Sequence, residues 1–353
     1  MDNLKVIYKV GIVAALALNI SGCRPAYDEI DNDTVISKPY VLYVGDSSGT
    51  IYKTNDGLSY QIVSGADNYP ASAIVTSGKN LLFIKKNLHI IEDLGSGNNS
   101  NPSFLNPGFF TQYKESIIIT VPKLNNRIYI GGTGIRGYRY NDSNGRPGIN
   151  FVNWRDQADP LIPSGTVFTS FAMLDNGDVI ALDANTRTTY RLNYTNSTWA
   201  PTSGGTLLPT GGQFFLSHMG DVLLAADATG TNGVYFSSNG GNSWQQYSGL
   251  PTGLKIESMC APFGQTVLIG THGKGIYRLP LGSTQFVPAS LGLPANAIIP
   301  SITDKYDFYK NNESKQYVYA ATNHGLYRSQ DLGENWVKVY DGPNGKGNYT
   351  VLY

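Results

Sequence analysis

Charge is scarce in this chain. Only 15% of its 353 residues are charged, and 26 basic groups balance 26 acidic ones. A neutral surface has no electrostatic pull on nucleic acid or anionic lipid, both of which call for a basic face. Cysteine is scarcer still, with only Cys23 and Cys260, so no disulfide framework is available. Cys260 lies in the apolar stretch Ser258-Met259-Cys260-Ala261 and reads as a buried, inert thiol. No apolar run reaches the roughly 20 residues that span a bilayer. Also missing are a Gly-x-Ser-x-Gly elbow, a cysteine pair for zinc, and a phosphate-binding glycine loop ahead of a helix. No cofactor and no metal is expected.

Glycine and aromatics are plentiful: 40 glycines, 24 tyrosines and 12% aromatic residues. With so little Lys and Glu, this suits many short strands joined by turns rather than helices.

The N-terminus reads as an address. Lys5 and Lys9 precede an apolar run from Val10 to Ile20, long enough for a signal-peptide core. The run ends Ile20-Ser21-Gly22-Cys23, which resembles the lipobox of bacterial lipoproteins. The resemblance implies removal of residues 1–22 and lipidation of Cys23, with stable anchoring by several acyl chains. Residues 23–39 follow as a polar tether carrying Asp28, Glu29, Asp31 and Asp33. Acidic residues after the lipidated cysteine resemble surface-export signals of Bacteroidetes lipoproteins. Asp33-Thr34-Val35 resembles an O-glycosylation sequence of that phylum. The expected location is the outer membrane, on its periplasmic or its surface leaflet.

Repeats decide the fold. Gly325-Leu326-Tyr327-Arg328-Ser329 recurs around Tyr277, Tyr235 and Tyr52, and more loosely around Tyr190 and Tyr138. The tyrosine spacings from 52 to 327 are 86, 52, 45, 42 and 50 residues, so the first holds two periods. A divergent copy is therefore expected at Leu88–Ile91, making seven. Nine residues after the tyrosine stands a large aromatic: Trp199, Trp244, Phe286 and Trp336. Trp154 follows Tyr138 at a longer distance, so all four tryptophans share one repeat position.

The last full copy reads as strands at residues 298–302, 317–322, 326–329 and 336–339. Four strands in 40–50 residues is a propeller blade. Residues 40–45 match a second strand, so the first blade lacks its innermost one. A lone strand at residues 349–353 is left to fill that place. The expectation is an all-β domain over residues 40–353. It is a seven-bladed β-propeller of four-stranded antiparallel blades, closed by the C-terminal strand joining the first blade.

The turns carry a second resemblance. Ser237-Ser238-Asn239-Gly240-Gly241-Asn242-Ser243-Trp244 and Ser329-Gln330-Asp331-Leu332-Gly333-Glu334-Asn335-Trp336 are similar to the Asp-boxes of sialidases and many other propellers. Thr54–Tyr60 is a copy short by one. The roles are structural: Ser237, Asn239, Ser329 and Asp331 bond the turn, Gly241 and Gly333 take positive φ, and Trp244 and Trp336 pack inward. The resemblance extends to the group that includes photosystem assembly-factor-like propellers, which are not enzymes.

A sialidase also needs an arginine triad from different blades, a Tyr–Glu nucleophile pair, and an Arg-Ile-Pro element near the first blade. Lys38-Pro39-Tyr40 stands at that place, and no Arg-Ile-Pro occurs anywhere. Arg139, Arg191, Arg278 and Arg328 all follow the repeat tyrosine and belong to the repeat.

Ligand candidates are Trp154, Arg155, Asp227, His272 and His324. His272 and His324 fall in equivalent loops, either as plain turn residues or as a two-histidine metal site. The segments 95–115 and 155–166 read as long loops between blades. Phe104, Phe109, Phe110 and Tyr113 in the first either bind a ligand or cover the divergent second blade. The expected function is a monomeric, non-catalytic envelope scaffold for protein or glycan, touching membrane only through its lipid. The rival readings are a sialidase-like glycoside hydrolase and a partner of an outer-membrane uptake system.

Overall fold

The computed structural model describes residues 36–77, 80–85, 88–91, 103–105, 117–124, 127–132, 134–138, 162–196, 198–202, 207–309, 314–342 and 347–353. Residues 1–35, with the expected signal sequence and Cys23, lie outside these, as do Trp154 and Arg155. Among the described residues there is no α-helix, and no helix long and apolar enough to cross a membrane.

The strands form seven antiparallel sheets, none of which closes on itself. Sheet I holds Leu42–Asp46, Ile51–Thr54 and Gln61–Ser64, with Tyr349–Leu352 on its first edge. Sheet II holds Ala73–Ser77, Asn80–Ile84, Leu88–Ile91 and Ser103–Leu105. Three described strands make sheet III: Ile117–Val121, Arg127–Gly132 and Gly134–Tyr138. Sheet IV comprises Phe168–Met173, Val179–Asp183, Thr189–Asn193 and Thr198–Pro201. Sheet V runs Phe214–Met219, Val222–Asp227, Val234–Ser237 and Gln245–Gln246. Sheet VI runs Ile256–Cys260, Val267–Thr271, Ile276–Leu279 and Val287–Pro288. Sheet VII is the largest, with Ser301–Tyr309, Ser314–Thr322, Gly325–Ser329 and Val337–Tyr340.

The second strand of each sheet explains the packing. Asn80–Ile84, Val179–Asp183 and Val267–Thr271 are buried at every position. A strand covered on one face alternates; one covered on both reads as a continuous apolar run. These strands are therefore sandwiched between neighbouring sheets. Ala181, Ala225, Ala226, Ala320 and Ala321, all fully buried, keep the sheets close. At Gly270 the spacing tolerates no side chain: a Cβ there would stand 2.5 Å from the Ile299 carbonyl oxygen.

First strands lie against first strands. The first strand of II packs on that of III, and the sequence continues through IV, V, VI and VII. The first strand of VII packs on Tyr349–Leu352, which also touches the first strand of II. Tyr349–Leu352 pairs with Leu42–Asp46, with Leu352 opposite Val44, and Tyr43 and Tyr353 exchange backbone bonds of 2.8 and 3.0 Å.

Four features depart from the sequence reading. Ser301–Tyr309 and Ser314–Thr322 are nine residues each, so their hairpin runs well past the length of the other first hairpins. Ile36–Lys38, expected within an unpatterned tether, pairs as a strand with the far end of that hairpin. Ser103–Leu105, expected inside a loop between blades, is the fourth strand of sheet II, so the backbone at Phe104 belongs to a sheet. Residues 298–300 precede the first strand of sheet VII, and Ile298 instead bridges His272 of sheet VI.

Candidate functional site

In an antiparallel sheet the first-to-second and third-to-fourth turns share one end, and the second-to-third turn lies at the other. The third-to-fourth turns are built alike. Ser237 Oγ donates to Asn239 Oδ1 (2.8 Å) and accepts from Gly241 N (2.8 Å). Ser329 Oγ donates to Asp331 Oδ1 (2.7 Å) and accepts from Gly333 N (2.8 Å). Thr54 and Asp56 repeat the pattern, with Gly57 N donating to Thr54 Oγ1 at 2.9 Å. Gly241 and Gly333 have φ of 92° and 86°, and a Cβ at either would strike Thr189 or Leu268 of the preceding sheet. Trp244 and Trp336 are buried behind these turns. Trp336 Nε1 donates to Ala289 O (3.0 Å) and Gly333 O (3.2 Å), tying sheet VII to sheet VI.

The repeat arginines serve the same joints. Arg278 of sheet VI pairs with Glu334 in the turn of sheet VII at 2.9 Å. Arg328 of sheet VII donates to the Asp56 carbonyl in the turn of sheet I at 3.3 Å. Arg191 of sheet IV lies against Gly240 in the turn of sheet V, where a Cβ would stand 2.1 Å from its guanidinium. Each reaches the next sheet's turn, so these three do not converge on a common ligand.

The second-to-third turns hold the remaining described candidates. Asp227 is fully buried; it accepts bonds from the backbone N–H groups of Gln213, Thr229 and Asn232 and from the Thr229 and Asn232 side chains. Burial works to raise its pKa, but these bonds outweigh it and hold the carboxyl below the usual range. Asp183 and Asp46, at the same position in sheets IV and I, bond their own turns in the same way. Asp227 is thus a repeated turn-former with no face toward solvent, which corrects its reading as a ligand group. His272 is exposed and its Nδ1 lies 2.7 Å from Glu257 Oε1. His324 is partly buried, its N–H donating to Thr322 Oγ1. No bond or ion pair joins the two histidines, and among the described residues no group of three His, Cys, Asp or Glu side chains suits a metal.

Two clefts have polar linings of interest. The larger, about 450 Å³, lies where sheets VII and I meet and is lined by Asp46, Tyr52, Asn348 and Tyr349 among others. Its one carboxylate is turned into its own loop, taking bonds from Ser48 N, Thr50 N and the Tyr52 hydroxyl. The second, about 260 Å³, is the better candidate because four sheets contribute to it through their first hairpins: Asp175, His218, Cys260, Phe263 and Asp304 all line it.

Local chemistry explains how these residues come to face one cleft. Sheets IV and V turn tightly, Asp175 N donating to Gly220 O at 3.2 Å. Sheet VI instead makes a short 3₁₀ turn, Pro262–Gly264, with Phe263 at φ 54°. Asp304 of sheet VII fixes that turn, its Oδ2 accepting from Phe263 N at 3.1 Å. The Cys260 thiol points at Asp304 Oδ1 across 3.8 Å. Burial first, and then the Asp304 charge, push that thiol's pKa well up, so it stays protonated. Asp175 is the open group, its side chain 69% exposed, with His218 Nδ1 3.6 Å away. Tyr306 stands beside Phe263, ring centroids 6.0 Å apart, and Phe308 follows at 4.7 Å.

Sequence reading missed this cleft because none of its residues sits at the repeat positions of tyrosine, arginine or tryptophan. The one signal available was the length of the stretch between the expected strands at 298–302 and 317–322, where Asp304 and Tyr306 lie.

No protein-family model matches the chain, and no curated protein matches it. Among solved structures it is similar to YCF48 bound to a D1 peptide, at 11% identity over 82% of this chain and 93% of that one, with a TM-score of 0.53. It is also similar to the extracellular domain of BT4673 from B. thetaiotaomicron, at 16% identity over 78% of this chain and 34% of that one, TM-score 0.48. The chain thus spans about a third of that domain's length. The computationally designed Ika8 protein matches at 10% identity over 82% of this chain and 91% of that one, TM-score 0.49. At such identities the likeness to YCF48 speaks for the fold alone, a β-propeller-like assembly of antiparallel sheets.

Proposed function

We propose that the seven sheets are the blades of one closed β-propeller, and that it is a non-catalytic envelope scaffold binding protein or glycan at the 260 Å³ cleft. Closure is supported by the pairing of Tyr349–Leu352 with Leu42–Asp46 and by the Arg328 bond from sheet VII to sheet I. Three-to-four turns built as Asp-boxes fit the same architecture. The lipobox-like Ile20–Cys23 supports anchoring through a lipid on Cys23 in the outer membrane.

The observation that carries the binding reading is the convergence of four first hairpins on one cleft with an aromatic edge. Rigid sheets presenting variable turns are a common way to build a recognition site. The thiol in the cleft is held protonated, and Arg191, Arg278 and Arg328 are engaged at sheet joints. Nothing in this arrangement supplies an activated nucleophile.

One observation favours a second reading. Asp175 and Asp304 line the same cleft, and glycoside hydrolysis uses paired carboxylates. A glycan array, a set of reporter glycosides with and without Ca²⁺, and a pull-down from envelope extracts separate the two. YCF48, of similar fold, holds a D1 peptide, so peptides join the first ligands tried. Binding without turnover is expected. Turnover that disappears in Asp175→Asn would overturn the scaffold in favour of the hydrolase.

A further inference from the structure

The cleft's charge is one-sided. Asp175 and Asp304 are its two carboxylates, and His218 is the single basic side chain in its lining. Lys305, next to Asp304 in the chain, feels its charge but does not line the cleft. Alternation along the strand turns it to the opposite face, where its ammonium lies over the Tyr353 ring at 5.3 Å. Asp304 is a positioned group: the Phe263 N–H and the Cys260 thiol each take one of its oxygens, which leaves further lone pairs for a donor. Asp175 stands at the rim, mostly exposed.

The aromatic edge completes the chemistry. Phe263 lines the cleft, and Tyr306, two residues past Asp304, meets it at 58° with centroids 6.0 Å apart. Phe308 continues the run along the projecting hairpin at 4.7 Å, nearly perpendicular to Tyr306. Ring faces next to carboxylates attract an ammonium or guanidinium more than a neutral or acidic group. The size argues the same way. At about 260 Å³ the cleft falls just below the roughly 300–1,000 Å³ of small-molecule pockets, which suits one side chain of a longer ligand. The aromatic run beyond it gives the flanking residues of such a ligand an apolar track.

We propose that the cleft formed by Asp175, His218, Cys260, Phe263 and Asp304 takes a lysine or arginine side chain presented by a basic peptide segment. This rests on the reading of the same cleft as the binding site. The test is fluorescence anisotropy on the purified full chain with labelled hexalysine and hexa-arginine, against hexaglutamate, a neutral Ser/Ala hexapeptide and a neutral oligosaccharide. Saturable binding of the basic peptides alone is expected. Asp175→Asn should weaken it about tenfold, the loss of one hydrogen bond to a charged group. Tyr306→Ala should weaken it roughly two- to fivefold, a partly exposed cation–π contact. Asp304→Asn also disturbs the Phe263 turn, so the exposed Asp175 keeps the test decisive if that variant fails to fold. No binding of basic peptides, or binding unchanged in Asp175→Asn, would overturn the proposal. A neutral oligosaccharide whose binding is lost in Tyr306→Ala would refute the cation and leave the scaffold standing.

Discussion

Trp336 ties sheet VII to sheet VI through its buried ring and its Nε1 donor. It is 3% exposed and packs in one cluster with Leu268, Ile276, Ala289 and Tyr327. Truncation to alanine removes a large buried ring, which costs about 3–5 kcal/mol. It also deprives the Ala289 carbonyl of its Nε1 donor, and a buried acceptor left alone costs about 1–3 kcal/mol. The sum, roughly 4–8 kcal/mol, is a large part of the 5–15 kcal/mol that holds a typical domain folded. At about 2 °C per kcal/mol for a domain of this size, Tm should fall by about 8–16 °C. Thermal melts followed by circular dichroism measure this directly. Trp336→Phe keeps most of the burial and should lie between parent and alanine variant. Leu281→Ala, at a side chain 78% exposed, should stay within about 0.5 kcal/mol of the parent. A Trp336→Ala melt within 2 °C of the parent would refute the argument that these tryptophans staple one sheet to the next.

Other consequences are as concrete. Gly270→Ala forces a methyl against the Ile299 carbonyl and Ser258 Oγ, and should cost at least about 1–3 kcal/mol by urea denaturation; an unchanged midpoint would mean the sheets are not that close. Asp331 is held below the usual carboxyl range because, although burial opposes it, the bonds from Asn335, Ser329 and Glu334 outweigh that effect. A lowered folded pKa contributes stability above the unfolded value of about 3.9 and loses it as pH falls through the folded one. The penalty of Asp331→Ala should therefore be present at about pH 6 and shrink below about pH 4, and a penalty that persists unchanged at about pH 2.5 would count against this role. Asp227→Ala should destabilise the chain, since it strips bonds from Gln213, Thr229 and Asn232. It should leave ligand binding by the surviving folded protein unchanged.

Much of the fold was legible because the physics of each repeat is local. The tyrosine of the third strand, the following polar turn and the tryptophan behind it recur in the sequence and in the sheets. Leu88–Ile91, expected as a divergent copy, is the third strand of sheet II. Three elements were hidden, the first because its partner strand lies far along the chain. Ile36–Lys38 pairs with residues 308–309, and the outer half of Ser301–Tyr309 is extended by its own hairpin. Ser103–Leu105 is too short to show alternation amid Asn and Pro. Asp227 was misread because its burial depends on the amide of Gln213 as well as on its own loop. The cleft was illegible because four sheets each give it one or a few residues, and no stretch of sequence holds the set.

Closure of the proposed propeller by Tyr349–Leu352 can be tested with a cross-link. Tyr43 and Tyr353 exchange backbone bonds, so the next pair, Val44 and Leu352, is of the non-hydrogen-bonded kind. Its Cα atoms lie about 4.5 Å apart, within the roughly 4.4–6.8 Å that a disulfide spans. Val44→Cys with Leu352→Cys, in residues 24–353 carrying Cys260→Ala, should oxidise nearly completely in air. The folded protein should then lack titratable thiols and melt in one transition. Two thiols that remain free in the native, folded protein would contradict closure.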